Sequence, residues 1–542
     1  MPSLHRDEQL RALANVTYDV VVIGAGMTGA GVALDASSRG LKVALIDRND
    51  IASGTSSKSS KMVHGGLRYL QQKEFRLVYE NLRERQRLLT NAPYLVQPLP
   101  FLIPLFGSHG VVSKTIVRGY AMALRLYDLC GGWRIGHRYR RVTRDETLAH
   151  FPTLNTERLV AGFLYYDARG DDARVALTLA KTAVYEFGAN VANYLRAVDV
   201  VKDQHGRVSG VVCRDEIAQS EFTIATTSVV NATGVWADDI FSLTEHQPSH
   251  RITPAKGVHV SVPRDRLHVD VAAVLNVPGD RRSIFVVPFD NALYTYVGTT
   301  DTAYDGNLND PLCQRDDVAY LLSAVNAVTS SNLTTDDVTG VWAGLRPLLA
   351  LSKGHAQSDR TADLSRRHSV HDSGDGVVHV TGGKWTTYRL MAEDTVDALS
   401  PYVPHLAKVR TKSLALYGVD EWRPGSPLET HLYHRFGADA RSILELIRER
   451  PDLADTPIAA QPYVGAEFIF CAREELTTSL TDLLTRRTRA HLIDARATLA
   501  AAPTVAALVA VDMGWNENDV AAQVRSFRDL VEHEFSAAGL IV

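Results

Sequence analysis

Four short stretches of this chain gather side chains that could do chemistry. The first is SSKSSKMVHGGLRYL, residues 56–70. His64 titrates near neutrality, Gly65-Gly66 lets backbone come close to something flat, and Arg68 with Tyr69 could grip an anion. Just before and within it lies a run of hydroxyls: Ser53, Thr55, Ser56, Ser57, Ser59 and Ser60. Short hydroxyls and free N–H groups suit a pyrophosphate, although by itself such a run reads as a solvated loop. The second stretch, TPAKGVHVSV, puts Lys256, Gly257 and His259 at the edge of an apparent strand. The third, VWAGLRPLL, carries one arginine, Arg346, in an otherwise apolar segment; it suits a second anion clamp or a surface ion pair. In the fourth, VTGGKWTTYR, a buried strand runs through Gly382-Gly383 to Lys384 and a helix start with Thr386 and Thr387 as caps. There a lysine and helix N–H groups could stabilise negative charge, or the lysine could simply be exposed on a capped helix.

Something must position these groups, and the chain opens with a candidate. Residues 18–48 read YDVVVIGAGMTGAGVALDASSRGLKVALIDR. Val20–Ile23 and Val43–Ile46 are buried parallel strands by pattern, with a helix between them. Gly24 permits the tight turn, Gly26 lets backbone approach a pyrophosphate, and Gly29 lets helix and strand pack closely. Asp47 ends the second strand at the spacing expected of an acid that binds ribose hydroxyls. Strand, turn, helix and acid together predict dinucleotide binding, without distinguishing NAD from FAD. SVVNATGVWADD repeats a strand-to-helix turn at Gly234. Residues 250–300 alternate as short antiparallel strands, and beyond residue 404 the pattern is helical.

Composition excludes several classes. The chain has 542 residues, 45% apolar and 22% charged, and a net charge of −4, which gives no reason to expect nucleic-acid binding. Its four cysteines (Cys130, Cys213, Cys313 and Cys471) are isolated, so no metal site or disulfide framework is expected. The N-terminus lacks the apolar core of a signal peptide, and no uninterrupted apolar run is long enough to span a bilayer.

Taken in order, GAGMTGAGVALDASSRGLKVALIDRNDIASGTSSKSSKMVHGGLRYL, KGVH, PFDNALYTYVGTTD, GLRPLL, GGKWTTYR and LLTRRTR resemble the signature blocks of the FAD-dependent glycerol-3-phosphate dehydrogenases. The resemblance covers nearly the whole chain. It departs at Val258, where a serine is common, and at Val235, where a proline is common. It implies an α/β fold: a Rossmann-like FAD domain of the glutathione-reductase or D-amino-acid-oxidase type, an α+β substrate domain and a C-terminal all-helical domain. The boundaries expected are 1–90, 159–249 and 340–403 for the FAD domain, 91–158 and 250–339 for the substrate domain, and 404–542 for the helical domain.

The resemblance further implies noncovalent FAD. Gly24, Gly26, Gly29, Asp47, Ser56, Ser57, Ser59, Ser60, Gly65, Gly66, Gly234, Gly383, Lys384 and Thr386 would hold it. It implies oxidation of sn-glycerol 3-phosphate to dihydroxyacetone phosphate by hydride transfer from C2 to the flavin N5, with electrons passed to a membrane quinone. Arg68, Tyr69, Arg346 and Arg366 (or Arg367) would bind the substrate phosphate. His259, with His64 second, would be the base, and Lys384 with Arg346 would complete the catalytic set. Alternatives on the same fold are an oxidase producing hydrogen peroxide and a flavin amine oxidase. The expected location is the cytoplasmic face of the membrane, held peripherally, with a homodimer among the possible oligomeric states. For the contact, the helix over 113–129 offers Lys114, Arg118 and Arg125 on one face and Ile116, Tyr120, Leu124 and Tyr127 opposite, taking about 100° per residue. The preceding apolar PLPFLIPLF would join it. The same helix fits ordinary packing on the substrate domain equally well.

Overall fold

The computed structural model describes residues 4–71, 73–107, 112–244, 252–277, 283–289, 293–349 and 367–542. The first glycine motif sits where the sequence puts it. Val20–Ile23 is flanked in parallel by Val43–Ile46 and by Val229–Asn231. Asn190–Ala192 and Val377–Gly382 extend the sheet, and antiparallel His368–Asp372 forms its edge. The central strands are buried on both faces, which is why they read as unbroken apolar runs. The helix Met27–Ser38 is enclosed between this sheet and the helices Asp172–Phe187 and Tyr388–Ala398. A three-stranded antiparallel sheet, Leu195–Lys202, Val208–Asp215 and Glu221–Ala225, joins the core on the other side.

The second sheet has ten strands and is largely antiparallel. Two long pairs dominate it. Val96–Phe106 runs against Leu159–Gly170, and Ile252–Pro263 runs against Gly340–Leu349 over ten residue pairs. Leu159–Gly170 and Gly340–Leu349 therefore lie in the second sheet, although the sequence division groups residues 159–249 and 340–403 with the cofactor domain. Each strand is the return leg of a long pair, which local pattern does not reveal.

PLPFLIPLF proves to be part of a buried strand rather than a membrane-facing segment. Its prolines, Pro98, Pro100 and Pro104, fall on alternate positions, so the missing N–H groups all lie on one side of the strand. On one flank the strand pairs along its whole length with Leu159–Gly170; on the other, Ala272–Asn276 pairs only at Phe101 and Leu102.

The C-terminal part is helical, chiefly Pro427–Phe436, Ala440–Glu449, Gly465–Glu474, Ala495–Met513 and Glu517–Ala538. Ala495–Met513 is long and apolar enough to cross a membrane, yet Thr498, Ala502, Val505, Ala506 and Val509 are buried in the spacing of a core helix packed on Glu517–Ala538. Buried ion pairs join this part to the rest. Arg174 reaches Glu475 at 2.5 Å across that boundary, and within the helical part itself Arg435 with His431 holds Glu467.

Burial pulls the pKa of both glutamates up, but their cationic partners prevail and leave each at about 2. A depressed carboxylate pKa contributes stability above the unfolded value of about 4.5 that is lost as pH falls toward 2. Thermal unfolding should therefore show its steepest pH dependence between about pH 4.5 and 2, and Glu475→Gln should flatten that slope while lowering the midpoint at pH 7.

Candidate functional site

A cavity of about 520 Å³ opens between the two sheets. One end is built on the glycine turn. Gly24 has φ +103°, and a Cβ on Gly29 would lie 1.7 Å from the Gly24 carbonyl oxygen, so neither position accepts a side chain without a shift. Asp47 braces the turn from inside: its carboxylate accepts N–H groups from Ala25 at 2.7 Å and Asn49 at 2.9 Å. Burial, partly offset by those donors, pushes its pKa up to about 6. Ser56 Oγ accepts the Met27 N–H at 2.8 Å, so a hydroxyl already sits on the helix N-terminus. Gly26, Gly234, Gly383 and Thr386 line the same cavity.

Sequence reasoning missed part of this end. Arg48 lies 4.7 Å over the Trp236 ring, and Asn309 accepts hydrogen bonds from both. Arg196, Ala197 and Val198 come from the three-stranded sheet. Nothing local marks these residues; only the fold brings them in. Two glycines that leave no room for side chains, a helix N-terminus, an acid and an aromatic-cation wall together fit a dinucleotide.

The other end carries the titratable groups. Ser60 Oγ hydrogen-bonds His259 Nε2 at 2.7 Å. The imidazole lies flat on Trp342, with centroids 4.7 Å apart and planes 7° from parallel. Strand register creates that contact, pairing His259 with Trp342 on one side and with Gly298 on the other. A Cβ on Gly298 would fall 2.0 Å from the ring. Lys61 lies 4.9 Å over Trp342.

His259 is 2% exposed, and its pKa falls well below 6.5 through burial first and then the charges of Lys61 and Arg346. Its Nδ1 is buried without a hydrogen-bond partner. An unmet acceptor costs less than an unmet donor, so the proton belongs on Nε2, donated to Ser60. The Ser60 hydroxyl is then free to donate toward the cavity.

His64, Tyr69, Arg346 and Lys384 also line the cavity. The Lys384 ammonium sits 3.8 Å from the Tyr69 ring centroid. Arg346 donates to Thr299 Oγ1 at 3.1 Å and the Thr300 carbonyl at 3.2 Å, and lies 3.4 Å from Asp301. A Cβ on Gly257 would come 2.4 Å from its guanidinium, so the glycine of KGVH gives the arginine its room.

Several other expected residues lie off the lining or serve the fold. Gly29 and Gly66 are not part of the cavity lining. Gly65 is also outside it: its N–H goes to the Tyr127 hydroxyl at 2.8 Å and it packs against Leu82. Ser57 is buried, and its carbonyl accepts from Arg489 and Lys61. Ser59 lines the cavity, but its hydroxyl accepts the Lys61 N–H. Lys256 is tied to Asp317 at 2.6 Å, away from the lining. Arg367 pairs with Glu74 at the surface. Arg366 and the side chain of Arg68 lie outside what the structure describes; the Arg68 backbone begins the helix Arg68–Gln71.

Comparison with known proteins agrees with this geometry. A profile described as FAD dependent oxidoreductase matches residues 19–397, and one described as the C-terminal domain of alpha-glycerophosphate oxidase matches residues 408–520. The glycerol-3-phosphate dehydrogenase of Mycobacterium leprae (strain TN) is 40% identical, covering 95% of this chain and 88% of that protein. The mitochondrial glycerol-3-phosphate dehydrogenase of Rattus norvegicus is 34% identical, covering 94% and 73%. Among solved structures, the glycerol-3-phosphate dehydrogenase from Bacillus halodurans complexed with FAD superposes with a TM-score of 0.78 at 28% identity, covering 98% of each chain.

Proposed function

Because this chain belongs to the family of FAD-dependent glycerol-3-phosphate dehydrogenases, we propose that it oxidises sn-glycerol 3-phosphate at C2 to dihydroxyacetone phosphate and delivers the electrons to a membrane quinone. One observation carries the reading: a forked cation, Arg346, and a histidine, His64, share one cavity with the dinucleotide turn. Bound FAD supplies the two-electron acceptor for the C2 hydride. The chain's own groups do the rest.

The substrate phosphate carries near two negative charges at pH 7, and the guanidinium fork of Arg346 suits it. Thr299, Thr300 and Asp301 hold that fork in place. Fixing the phosphate fixes C2 at the far end of a three-carbon chain. Lys384 supplies positive charge where the accepted electrons collect.

The C2 hydroxyl proton goes to His64. His259 is a poor acceptor, because Nε2 already bears a proton and a buried imidazolium beside Lys61 and Arg346 would be repelled. Its place is to hold Ser60, whose hydroxyl donates into the cavity. On this reading the parallel-sheet unit holds FAD and the second sheet holds substrate.

The test is anaerobic titration of the yellow protein with glycerol 3-phosphate. Flavin bleaching is expected, with no bleaching by glycerol at the same concentration. Absence of bleaching by the phosphate ester rejects the reading. Supplying oxygen and a quinone analogue side by side separates dehydrogenase from oxidase, and substantial peroxide would favour the oxidase.

Membrane contact is part of the proposal, with the expected cations and Ile116 but without the rest of the apolar face expected from sequence. Leu124 and Tyr127 are buried, and Tyr120 packs against the core and bonds Asn276. The exposed side of the helix Lys114–Leu129 carries Ile116, Met122, Leu126 and Leu129, the last two-thirds or more exposed, and Trp133 follows. Lys114, Arg118 and Arg125 are exposed among them. Apolar groups interleaved with cations suit an anionic leaflet. At about 1 kcal/mol per basic residue near such a surface, replacing all three by Gln should weaken partition onto phosphatidylserine vesicles on the order of 100-fold. Unchanged co-sedimentation would reject this surface.

A further inference from the structure

The serine segment is held from the far end of the chain. One turn of the C-terminal helical part, residues 483–489, grips both ends of residues 50–61. At the start, Arg487 binds both Asp50 oxygens, at 2.7 and 2.8 Å, and Arg486 adds a bond at 2.6 Å. At the end, Arg489 donates to Asp172, to Asp171 at 3.0 Å and to the Ser57 carbonyl at 3.1 Å. Asp172 in turn accepts the Ser59 N–H at 3.0 Å and lies 3.6 Å from Lys61. The next link is Ser60 on His259. Arg489 and Asp172 are both buried, at 4% and 0% exposure, so neither has water to fall back on.

Arg489 is not part of the cavity lining. It reaches the lining through Asp172, itself a lining residue, and through Asp172's hold on residues 57–61. We propose that Arg489 is a positioning residue for the reaction in the cavity: it fixes Asp172, which fixes residues 57–61 and so the place of Ser60 against His259. The C-terminal helical part then serves as the clamp of the reacting loop. This inference rests on the proposed reading of the cavity, because it concerns the rate of that reaction.

The experiment uses the FAD-loaded protein and the variants Arg489→Lys and Asp172→Asn, which keep size and, for lysine, charge. Hydrogen–deuterium exchange needs no substrate. Exchange in the peptide spanning residues 53–61 should rise about tenfold in each variant, with residues 18–48 unchanged. In single turnover, flavin reduction by glycerol 3-phosphate should slow on the order of tenfold while FAD content and half-saturation stay within about twofold. The double variant should be no slower than the slower single one, since both changes break one chain of contacts.

Wild-type exchange and wild-type reduction in Arg489→Lys overturn the proposal. So does a loss that merely follows a lower melting temperature, or full additivity in the double variant. If the clamp variants do not fold, Ser60→Ala removes the last link alone; it should reproduce the slow reduction, and a full rate in it overturns the proposal. Wild-type protein that glycerol 3-phosphate fails to bleach would instead overturn the functional reading, leaving the exchange result to stand on its own.

Discussion

His64→Asn should bind FAD normally and reduce it on the order of 10² to 10⁴ times more slowly with saturating glycerol 3-phosphate, the range spanned by losing a positioned proton acceptor. His259→Asn should lose only about tenfold, because its part is to hold Ser60 in place. The order of these effects follows from burial. Both histidines line the cavity, but His64 is only half-buried, whereas His259 lies buried against Trp342 with one ring nitrogen sealed and the other on Ser60. His259 is also kept neutral by burial and by the charges of Lys61 and Arg346. The measurement is stopped-flow flavin bleaching across pH 6 to 9. A larger loss in the His259 variant would reverse the assignment.

Arg346→Ala should raise the half-saturation for glycerol 3-phosphate on the order of 10² to 10³-fold, since truncating one side of a desolvated charge pair costs about 2–5 kcal/mol. Arg346→Lys should recover only part, because an ammonium keeps the charge but not the fork. Reaction with glycerol, which lacks the phosphate, measured at far higher concentration, should be equally slow in wild type and variant. That comparison separates lost anion binding from general damage. Equal losses with both substrates would argue that Arg346 acts through Thr299, Thr300 and Asp301 rather than on a ligand.

The glycine turn was legible because its demands are local. A φ of +103° at Gly24 and a helix pressed on its carbonyl leave their mark within six residues. Arg346 and Lys384 were legible as lone cations in apolar strand ends. The helix over 113–129 was half legible: its two faces were found, but the aromatic one turned inward, since periodicity marks a face and not its neighbour. Arg196 and Trp236 gave no sign, because only the fold makes them wall. The same holds for the arginines of LLTRRTR: the sequence marked them as a family block, but their carboxylates lie more than 300 residues away, at Asp50 and Asp172. Gly65 shows the reverse error. A glycine pair suggested close approach to a flat ligand, and one of the two serves a buried tyrosine.

The strand order of the first sheet bears on how the molecule is made. Val20–Ile23 leaves the ribosome early, yet its neighbour Val229–Asn231 follows some two hundred residues later, and the next strand, Val377–Gly382, later still. Asp50 and Asp172 wait longer, for arginines near the end of translation. Until then the nascent chain carries an open apolar sheet edge, and exposed apolar surface of this kind is what chaperones shield. Synthesis speed and chaperone supply, more than the strength of any single contact, should govern how much of this protein is recovered from an expression host.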